Sequence, residues 1–179
     1  MTIKTYSFGF SLIELLVTLV IVSVGVLGVA SLQIQSLQQN REAFFRAEAT
    51  YLANGLIDRI RANPLQVYTL PIAQAPVAAG SCVLANCASA EMAGYDLAEW
   101  QCSIRSVNQA GATYAACAQL GVTGALPLGS GRVTQLLATA TTRLYEVEVQ
   151  WSADSNATIC GSRAGSDPVC QSIVVQSSL

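Results

Sequence analysis

A long apolar segment near the N-terminus dominates the hydrophobic pattern of this chain. Between Phe10 and Leu32 every residue is apolar, a glycine or a small hydroxyl residue, with the single exception of Glu14. Wound as an α-helix, this segment would extend about 34 Å at roughly 1.5 Å per residue, and the hydrocarbon core of a bilayer is ~30 Å thick. The pattern therefore predicts a membrane-spanning helix over residues 10–33.

The same helix is expected to continue beyond the membrane as an amphipathic segment. Five apolar residues recur there at the three- and four-residue steps of one helix face: Phe45, Ala49, Leu52, Leu56 and Ile60. The residue before a proline is pushed out of the helical region, so Pro64 should end the helix. We predict one helix from Phe10 to Ala62, with residues 34–63 as its amphipathic half.

The remaining residues, 64–179, are predicted to form a globular head. The stretch from Leu65 to Ser89 is rich in alanine, proline and other small residues, which predicts an extended loop. A short helix is predicted to begin at Tyr95, with Asp96 as its N-cap. Three apolar residues share one face of that helix: Leu97, Trp100 and Ile104. The glycine-rich stretch 111–131 predicts irregular structure.

Three segments of the head have the pattern of β-strands. Apolar and polar residues alternate strictly over 145–151, which is typical of a strand with one buried face. This alternation places Glu146 and Glu148 together on a solvated face. Further strands are predicted at 132–140 and 172–176, the latter with Ile173 and Val175 inward. A long helix packed on a small antiparallel sheet is an α+β fold.

Six cysteines follow the helix and none lies within it. They are Cys82, Cys87, Cys102, Cys117, Cys160 and Cys170. An even number of cysteines in a small exported domain is typical of disulfides. A zinc site is the alternative, although the chain has no CxxC pair and no histidine to complete a Cys/His set. Locality favours pairing Cys82 with Cys87 and Cys160 with Cys170, which leaves Cys102 to Cys117.

Composition narrows the classes of function. Charged residues make up only 11% of the chain and its net charge is −2, whereas a nucleic-acid-binding surface requires clustered basic residues. The chain contains no histidine, the commonest general base and metal ligand. It also has no phosphate-binding loop and no nucleophile-elbow motif. We therefore expect neither an enzyme nor a protein that binds a metal or a cofactor.

Glu14 distinguishes between kinds of N-terminal segment. A cleaved secretory signal has a shorter apolar region, about 7–15 residues, and a small-x-small cleavage site. A plain signal anchor explains the length of the segment and the position of Lys4 on the cytoplasmic side, but it does not explain a carboxylate. An aspartate at the centre of a membrane helix costs about 2.5–3.5 kcal/mol on insertion scales. We therefore expect Glu14 to meet a partner from another chain, unless its side chain only snorkels to the interface.

The start of the chain resembles a known export and assembly signal. The sequence GFSLIE at residues 9–14 resembles the prepilin leader motif, and the LLVTLVIVSVGVLGVASLQ that follows resembles the PilV family of minor pilins. DRIRANP at 58–64 and YDLAEW at 95–100 are also similar to PilV proteins. The resemblance implies that residues 1–9 are a leader, which a prepilin peptidase removes between Gly9 and Phe10. It also implies N-methylation of Phe10 and pairing of Glu14 with the Phe10 amine of a neighbouring subunit.

The resemblance implies a function in assembly. Such a protein is a minor pilin that is incorporated in a type IV pilus or primes its assembly, with roles in adhesion, twitching motility and DNA uptake. Its implied partners are the prepilin peptidase, other minor pilins and the major pilin. It would span the inner membrane once with its head in the periplasm, and would then move to the pilus on the cell surface.

Other functions remain open at this point. A minor pseudopilin of a type II secretion system would share the leader and Glu14, although the cysteine-rich head favours the pilus. A membrane-anchored enzyme would need convergent polar groups in the head, and the sequence indicates none. A binding module such as an adhesin tip is compatible with a minor pilin, but the residues indicate no ligand.

Overall fold

A computed structural model describes residues 9, 11–78, 80, 82, 86–139, 142–153, 159–161 and 170–178. The chain divides into two compact units, Met1–Arg41 and Glu42–Leu179. Apart from Gly9, the predicted leader lies outside the described residues, and so does Phe10.

One helix, α1, runs from Leu12 to Ala62. Its end is the one predicted from the sequence. The Asn63 N–H closes the last turn by donating to the Arg59 carbonyl at 3.1 Å and the Ile60 carbonyl at 3.2 Å, and Pro64 follows. Two arginines in the last turn, Arg59 and Arg61, lie where the helix dipole favours positive charge.

The described part of the first unit is the N-terminal portion of α1, and nearly all of its residues are exposed. An 18-residue window of this helix has a mean hydropathy of 2.6, and none of that window is buried. By length and composition the helix is therefore able to cross a membrane.

The second unit has one core, formed between α1 and a sheet. The predicted apolar stripe of α1 is buried: Phe45, Ala49, Leu52, Leu56 and Ile60. It packs with inward residues of the sheet, namely Val133, Tyr145, Val147, Val149 and Trp151. Ile173 and Val175 are half-buried against the same core, as predicted.

The sheet has three antiparallel strands in the order β1-β2-β3, with β1 at Ser130–Ala138, β2 at Arg143–Trp151 and β3 at Gln171–Ser178. Leu70 forms an isolated bridge to Val133 at the outer edge of β1. The predicted α+β fold, a long N-terminal helix on a small antiparallel sheet with disulfides, is confirmed.

Helix α2 runs from Ser89 to Ile104, so it begins earlier than the sequence predicted. The Ala88 N–H donates to Glu91 Oε2 at 2.9 Å at its start, the return half of a capping box. Asp96 consequently lies within the helix and is buried, and its prediction as an N-cap is wrong. Trp100 and Ile104 face the core, with Leu97 half-buried beside them.

A short helix, α3 at Ala115–Leu120, lies within the stretch predicted to be irregular. Gly121 ends it in the left-handed conformation, with φ of 66°, which glycine adopts without steric cost. The Cys102–Cys117 disulfide joins α3 to α2. Propensity alone gives little signal for so short a helix, because isolated helices of this length are unstable in water.

The predicted solvent exposure of Glu148 is wrong. Its side chain is 0% exposed and forms an ion pair with Arg132 on β1. Gln150 Nε2 also donates to Glu148 Oε1 at 2.7 Å. At this end of the sheet the outer face is covered, because the Ser130 hydroxyl donates to the Cys160 carbonyl.

Candidate functional site: the helix N-terminus and the helix-end network

The first turn of α1 places Glu14 on an exposed helix surface. The Glu14 N–H donates to the Ser11 carbonyl at 3.1 Å, and the Leu15 N–H donates to the same carbonyl at 3.3 Å. These bonds use the backbone and leave the carboxylate of Glu14 without a partner among the described residues of its own chain. A carboxylate is favourable at a helix N-terminus, but in lipid it still requires a counter-charge.

Two hydroxyl groups of the apolar segment form hydrogen bonds within the helix. Thr18 Oγ1 donates to the Leu15 carbonyl at 2.9 Å, and Ser23 Oγ donates to the Leu19 carbonyl at 2.6 Å. Such bonds to the preceding turn remove the cost of placing a hydroxyl in hydrocarbon. Glu14 is the one charged side chain between Phe10 and Leu32, and its carboxylate has no partner among the described residues.

A polar network connects the end of α1 to α2. Arg59 Nη1 lies 2.7 Å from Glu99 Oε2 and 3.2 Å from Asp96 Oδ1. The hydrogen bond and charge of Glu99 raise the pKa of Arg59, and Asp96 adds to this effect. The network joins the two segments that resemble PilV proteins, residues 58–64 and 95–100, which sequence reasoning had treated separately.

Tyr68 and Asn63 extend this network. The Tyr68 hydroxyl donates to Asp96 Oδ2 at 2.8 Å. Asn63 Nδ2 lies 3.2 Å from the Tyr68 hydroxyl and donates to the Ser89 carbonyl at 2.8 Å. Burial, followed by the bond to Asp96, raises the pKa of Tyr68 to about 12. These contacts hold the chain after α1 against the start of α2.

A second link between α1 and α2 lies in the core. Trp100 Nε1 donates to the Leu52 carbonyl at 2.9 Å. The Trp100 ring packs so closely on β1 that a Cβ at Gly131 would lie 2.5 Å from it. Trp100 is thus a core residue, and its indole N–H has the partner that a buried tryptophan needs.

Three disulfides cross-link the head. Cys102–Cys117 joins two buried residues, Cys82–Cys87 closes a short loop, and Cys160–Cys170 connects the segment after β2 to the start of β3. These are the pairs that were predicted from short separation in the sequence. No cysteine is free among the described residues.

Sequence reasoning missed a buried cation, Arg105. Its Nε donates to the Gly129 carbonyl at 2.7 Å, its Nη1 donates to the Val107 carbonyl at 2.6 Å, and its guanidinium lies 5.4 Å from the ring centroid of Tyr114. The residue follows the last turn of α2 directly, and only its position after an apolar helix face could have suggested burial. It holds the turn before β1 in place.

The structure places the predicted site residues in separate regions. Gly9 and Glu14 lie at the start of the chain, and Phe10 lies outside the described residues. The six cysteines lie in the head. Glu146 hydrogen-bonds Gln176 at 2.8 Å across the sheet, while Glu148 is buried, so these two carboxylates do not form a shared site.

Two family models match the chain in succession. A model described as "Prokaryotic N-terminal methylation motif" matches residues 4–30. A model described as "Tt1218-like: Type IV pilin Tt1218" matches residues 31–98, which include most of α1 and the Arg59–Asp96 contact. No curated protein and no solved structure shows a significant match to the chain. The chain is therefore similar to a prokaryotic N-terminal methylation motif over its first part and to a type IV pilin model over residues 31–98, and its long N-terminal helix packed on a small antiparallel sheet is consistent with that likeness.

Proposed function

We propose that this protein is a minor pilin of the PilV type, incorporated in a type IV pilus or priming its assembly. One observation carries the proposal. The carboxylate of Glu14, inside the matched methylation motif, begins an exposed apolar helix without a partner in the described part of its own chain. The PilV-like segments around Arg59 and Asp96, which meet in one network, support the PilV type.

Processing would create the partner that Glu14 lacks. Removal of residues 1–9 leaves an amine at Phe10, and a methylated amine keeps its positive charge. Each charge is costly in lipid alone, and pairing offsets part of that cost. An amine of one subunit beside Glu14 of the next therefore favours docking over separation in the bilayer.

The proposal also gives the protein a location in the cell and an order of processing and assembly. The apolar half of α1 anchors the protein in the inner membrane with the head in the periplasm, where oxidation of the cysteines is favoured. The prepilin peptidase acts on the leader, and other pilins then receive the processed subunit. The matching model describes a type IV pilin, which supports a pilus over a type II secretion system.

Cross-linking in the membrane tests the docking role of Glu14. The chain has a single lysine, Lys4 in the leader, so the N-terminal amine is the only amine of a processed chain. A membrane-permeant carbodiimide should therefore join Glu14 to the terminal amine of a second subunit. Mixing isotope-labelled and unlabelled copies, or finding the N-terminal peptide of another pilin, separates this product from a link within one chain.

The matched variants are Glu14→Gln and Glu42→Gln, both on α1. We expect Glu14→Gln to insert into the membrane but to lose the cross-link and its recruitment into filaments. Glu42→Gln should keep both. Recruitment of Glu14→Gln at the wild-type level would refute the docking role.

The copy number in purified filaments tests the minor-pilin assignment separately. Quantitative mass spectrometry should find this chain at a small fraction of the bulk subunit. If the chain itself is the bulk subunit, it is a major pilin instead.

A further inference from the structure

The outer edge of β3 is open. The sheet ends at this strand, and none of the described residues pairs with its far side. At the opposite edge, Leu70 covers part of β1 by exchanging two backbone hydrogen bonds with Val133, at 2.9 and 3.0 Å. An open edge presents unpaired N–H and C=O groups to any extended chain. At the β3 edge the described sheet can therefore accept a further strand.

The strand β3 lacks the features that usually protect an open edge. Exposed edge strands are commonly guarded by charged side chains, by proline or by a bulge. The sequence of β3, QSIVVQSS, contains no charged residue and no proline, and its pairing with β2 runs without a register shift. Its eight residues thus form a regular, uncharged template for backbone pairing.

The core is incomplete beside this edge. On the inner face of the sheet, Val147 and Val149 of β2 are fully buried. Their direct partners on β3, Val175 and Ile173, are only half-buried although they pack against the same core. On the outer face, Val174 is 44% exposed. A further strand would cover apolar side chains on both faces, and burial of apolar surface drives most protein association.

Two side-chain contacts give the direction of β3 relative to α1. At the start of the strand, Gln171 Nε2 donates to Glu42 Oε1 at 3.4 Å. Near its end, Arg61 Nη2 donates to Ser177 Oγ at 2.9 Å. The strand therefore runs in the same direction as the head portion of α1. The other outer strand, β1, does so too, because β1 and β3 are both antiparallel to β2.

This direction argues against a second copy of the chain at the β3 edge. Copies that share a membrane or a filament have α1 pointing the same way, so both edges of their sheets run parallel to β3. Parallel strands occur almost only in sheets covered on both faces, whereas the outer face of β3 is exposed at Val174 and Gln176. Antiparallel pairing with a copy would require one α1 to be inverted.

We propose that the edge of β3 binds an extended segment of a different subunit, which adds to the sheet as an antiparallel fourth strand. The segment alternates apolar residues, which pack beside Ile173 and Val175, with polar residues that are uncharged because β3 offers no counter-charge. Backbone hydrogen bonds supply affinity in such a contact, and the alternating side chains supply specificity. A contact between unlike chains fits a subunit of low copy number. The inference rests on the proposed function, because it assumes that the subunits share one orientation.

A register scan with a photo-reactive residue tests the added strand. In cells that assemble pili, a benzophenone amino acid replaces Ser172, Val174 or Gln176 in turn, three residues that share the outer face of β3. Each probe should form an adduct with one segment of a different chain, located by mass spectrometry. Because the pairing is antiparallel, each step towards the C-terminus of β3 should move the adduct about two residues towards the N-terminus of that segment.

A probe on the other edge strand is the matched control. Leu137 lies on the same face of the sheet as Val174 and is 47% exposed, against 44% for Val174, so a probe there should not give this adduct. Val175→Lys places a charge between the added strand and the core and should abolish the adduct from position 174, whereas Val175→Ile should keep it. Melting temperatures of the detergent-solubilised variants show whether each is folded. The register scan needs neither variant and decides alone if Val175→Lys does not fold.

Three outcomes would overturn the proposal. They are no adduct from the β3 probes, adducts that do not shift in reverse order, and adducts with a second copy of the chain or with residues of the same chain. If the chain still enters filaments through Glu14 in any of these cases, the proposed function stands and only the edge contact fails.

Discussion

Arg59 in the last turn of α1 and Glu99 in α2 lie 40 residues apart in the sequence and form an ion pair of 2.7 Å. The same guanidinium nitrogen lies 3.2 Å from Asp96. The end of the long helix is thereby fixed to α2 by one cation and two carboxylates. If force is transmitted from the filament to the head through α1, this network is one place where the helix and head would resist separation.

Removing Asp96 should destabilise the head. Its side chain is only 10% exposed and accepts a hydrogen bond from the buried Tyr68 hydroxyl. Asp96→Ala would leave that hydroxyl without an acceptor and weaken the network around Arg59, at a cost of about 2 kcal/mol. Urea unfolding of the detergent-solubilised protein measures this loss.

The matched control is Asp58→Ala, at the same end of α1. Asp58 pairs with Arg61 at 3.0 Å, but both side chains are largely exposed. Exposed pairs contribute little, so we expect a loss below about 0.5 kcal/mol. Equal losses of stability for the two variants would show that the network around Asp96 contributes no more than an exposed ion pair.

Tyr68 should make stability fall at high pH. Its pKa is raised to about 12 in the folded protein, whereas tyrosine in an unfolded chain ionises near pH 10. The unfolded state therefore loses its proton first, so this contribution is complete below about pH 10 and is lost as the pH rises towards about 12. Wild type and Tyr68→Phe should converge in stability over that range, and tyrosinate absorbance should show one fewer late-titrating group in the variant. Parallel stability curves from pH 10 to 12 would contradict the assignment.

Two glutamates of β2 should behave differently although the sequence pattern treats them alike. Glu148→Ala leaves Arg132 without its partner beneath a covered sheet face, and breaking a buried pair costs about 3–5 kcal/mol. Glu146→Ala, two residues away on the same face, removes a bond to Gln176 and should cost under about 1 kcal/mol. Thermal unfolding of the two variants measures the two losses of stability. Losses of the same size would mean that Glu148 is solvated, as the alternation alone suggested.

The Cys102–Cys117 disulfide should contribute more to stability than Cys82–Cys87. It closes a loop of 15 residues in sequence separation, against 5 for the other pair, and the chain-entropy model gives about 3 kcal/mol for a loop of that length. Its sulfur atoms also lie in the core, so Cys102→Ala/Cys117→Ala should lower the melting temperature more than Cys82→Ala/Cys87→Ala. A larger fall in melting temperature for Cys82→Ala/Cys87→Ala would contradict this prediction.

The sequence predicted those parts of the fold that depend on the spacing of apolar residues and on a helix-ending proline. The steps of three and four from Phe45 to Ile60 predicted the buried face of α1, and Pro64 predicted its end. Strict alternation predicted the core side of β2, including Val147. Short sequence separation was sufficient to predict the disulfide pairs.

The wrong predictions concern side chains whose burial and partners depend on residues distant in the sequence. Glu148 alternates like a surface residue, and only the covering chain near Cys160 and the position of Arg132 across the sheet explain its burial. Asp96 has the chemistry of an N-cap, but its acceptor capacity is used by Tyr68 and Arg59, which are distant in the sequence. The network at the end of α1 could not be predicted for the same reason, because its members come from three separate segments.

The mature N-terminus tests the central claim most directly. Intact-mass and N-terminal peptide analysis should be carried out on the protein from cells that contain a prepilin peptidase. The account predicts a chain that begins at N-methylated Phe10 and retains the whole apolar segment. A mature chain that begins after residue 30, or one that keeps residues 1–9 when the peptidase is present, would contradict it.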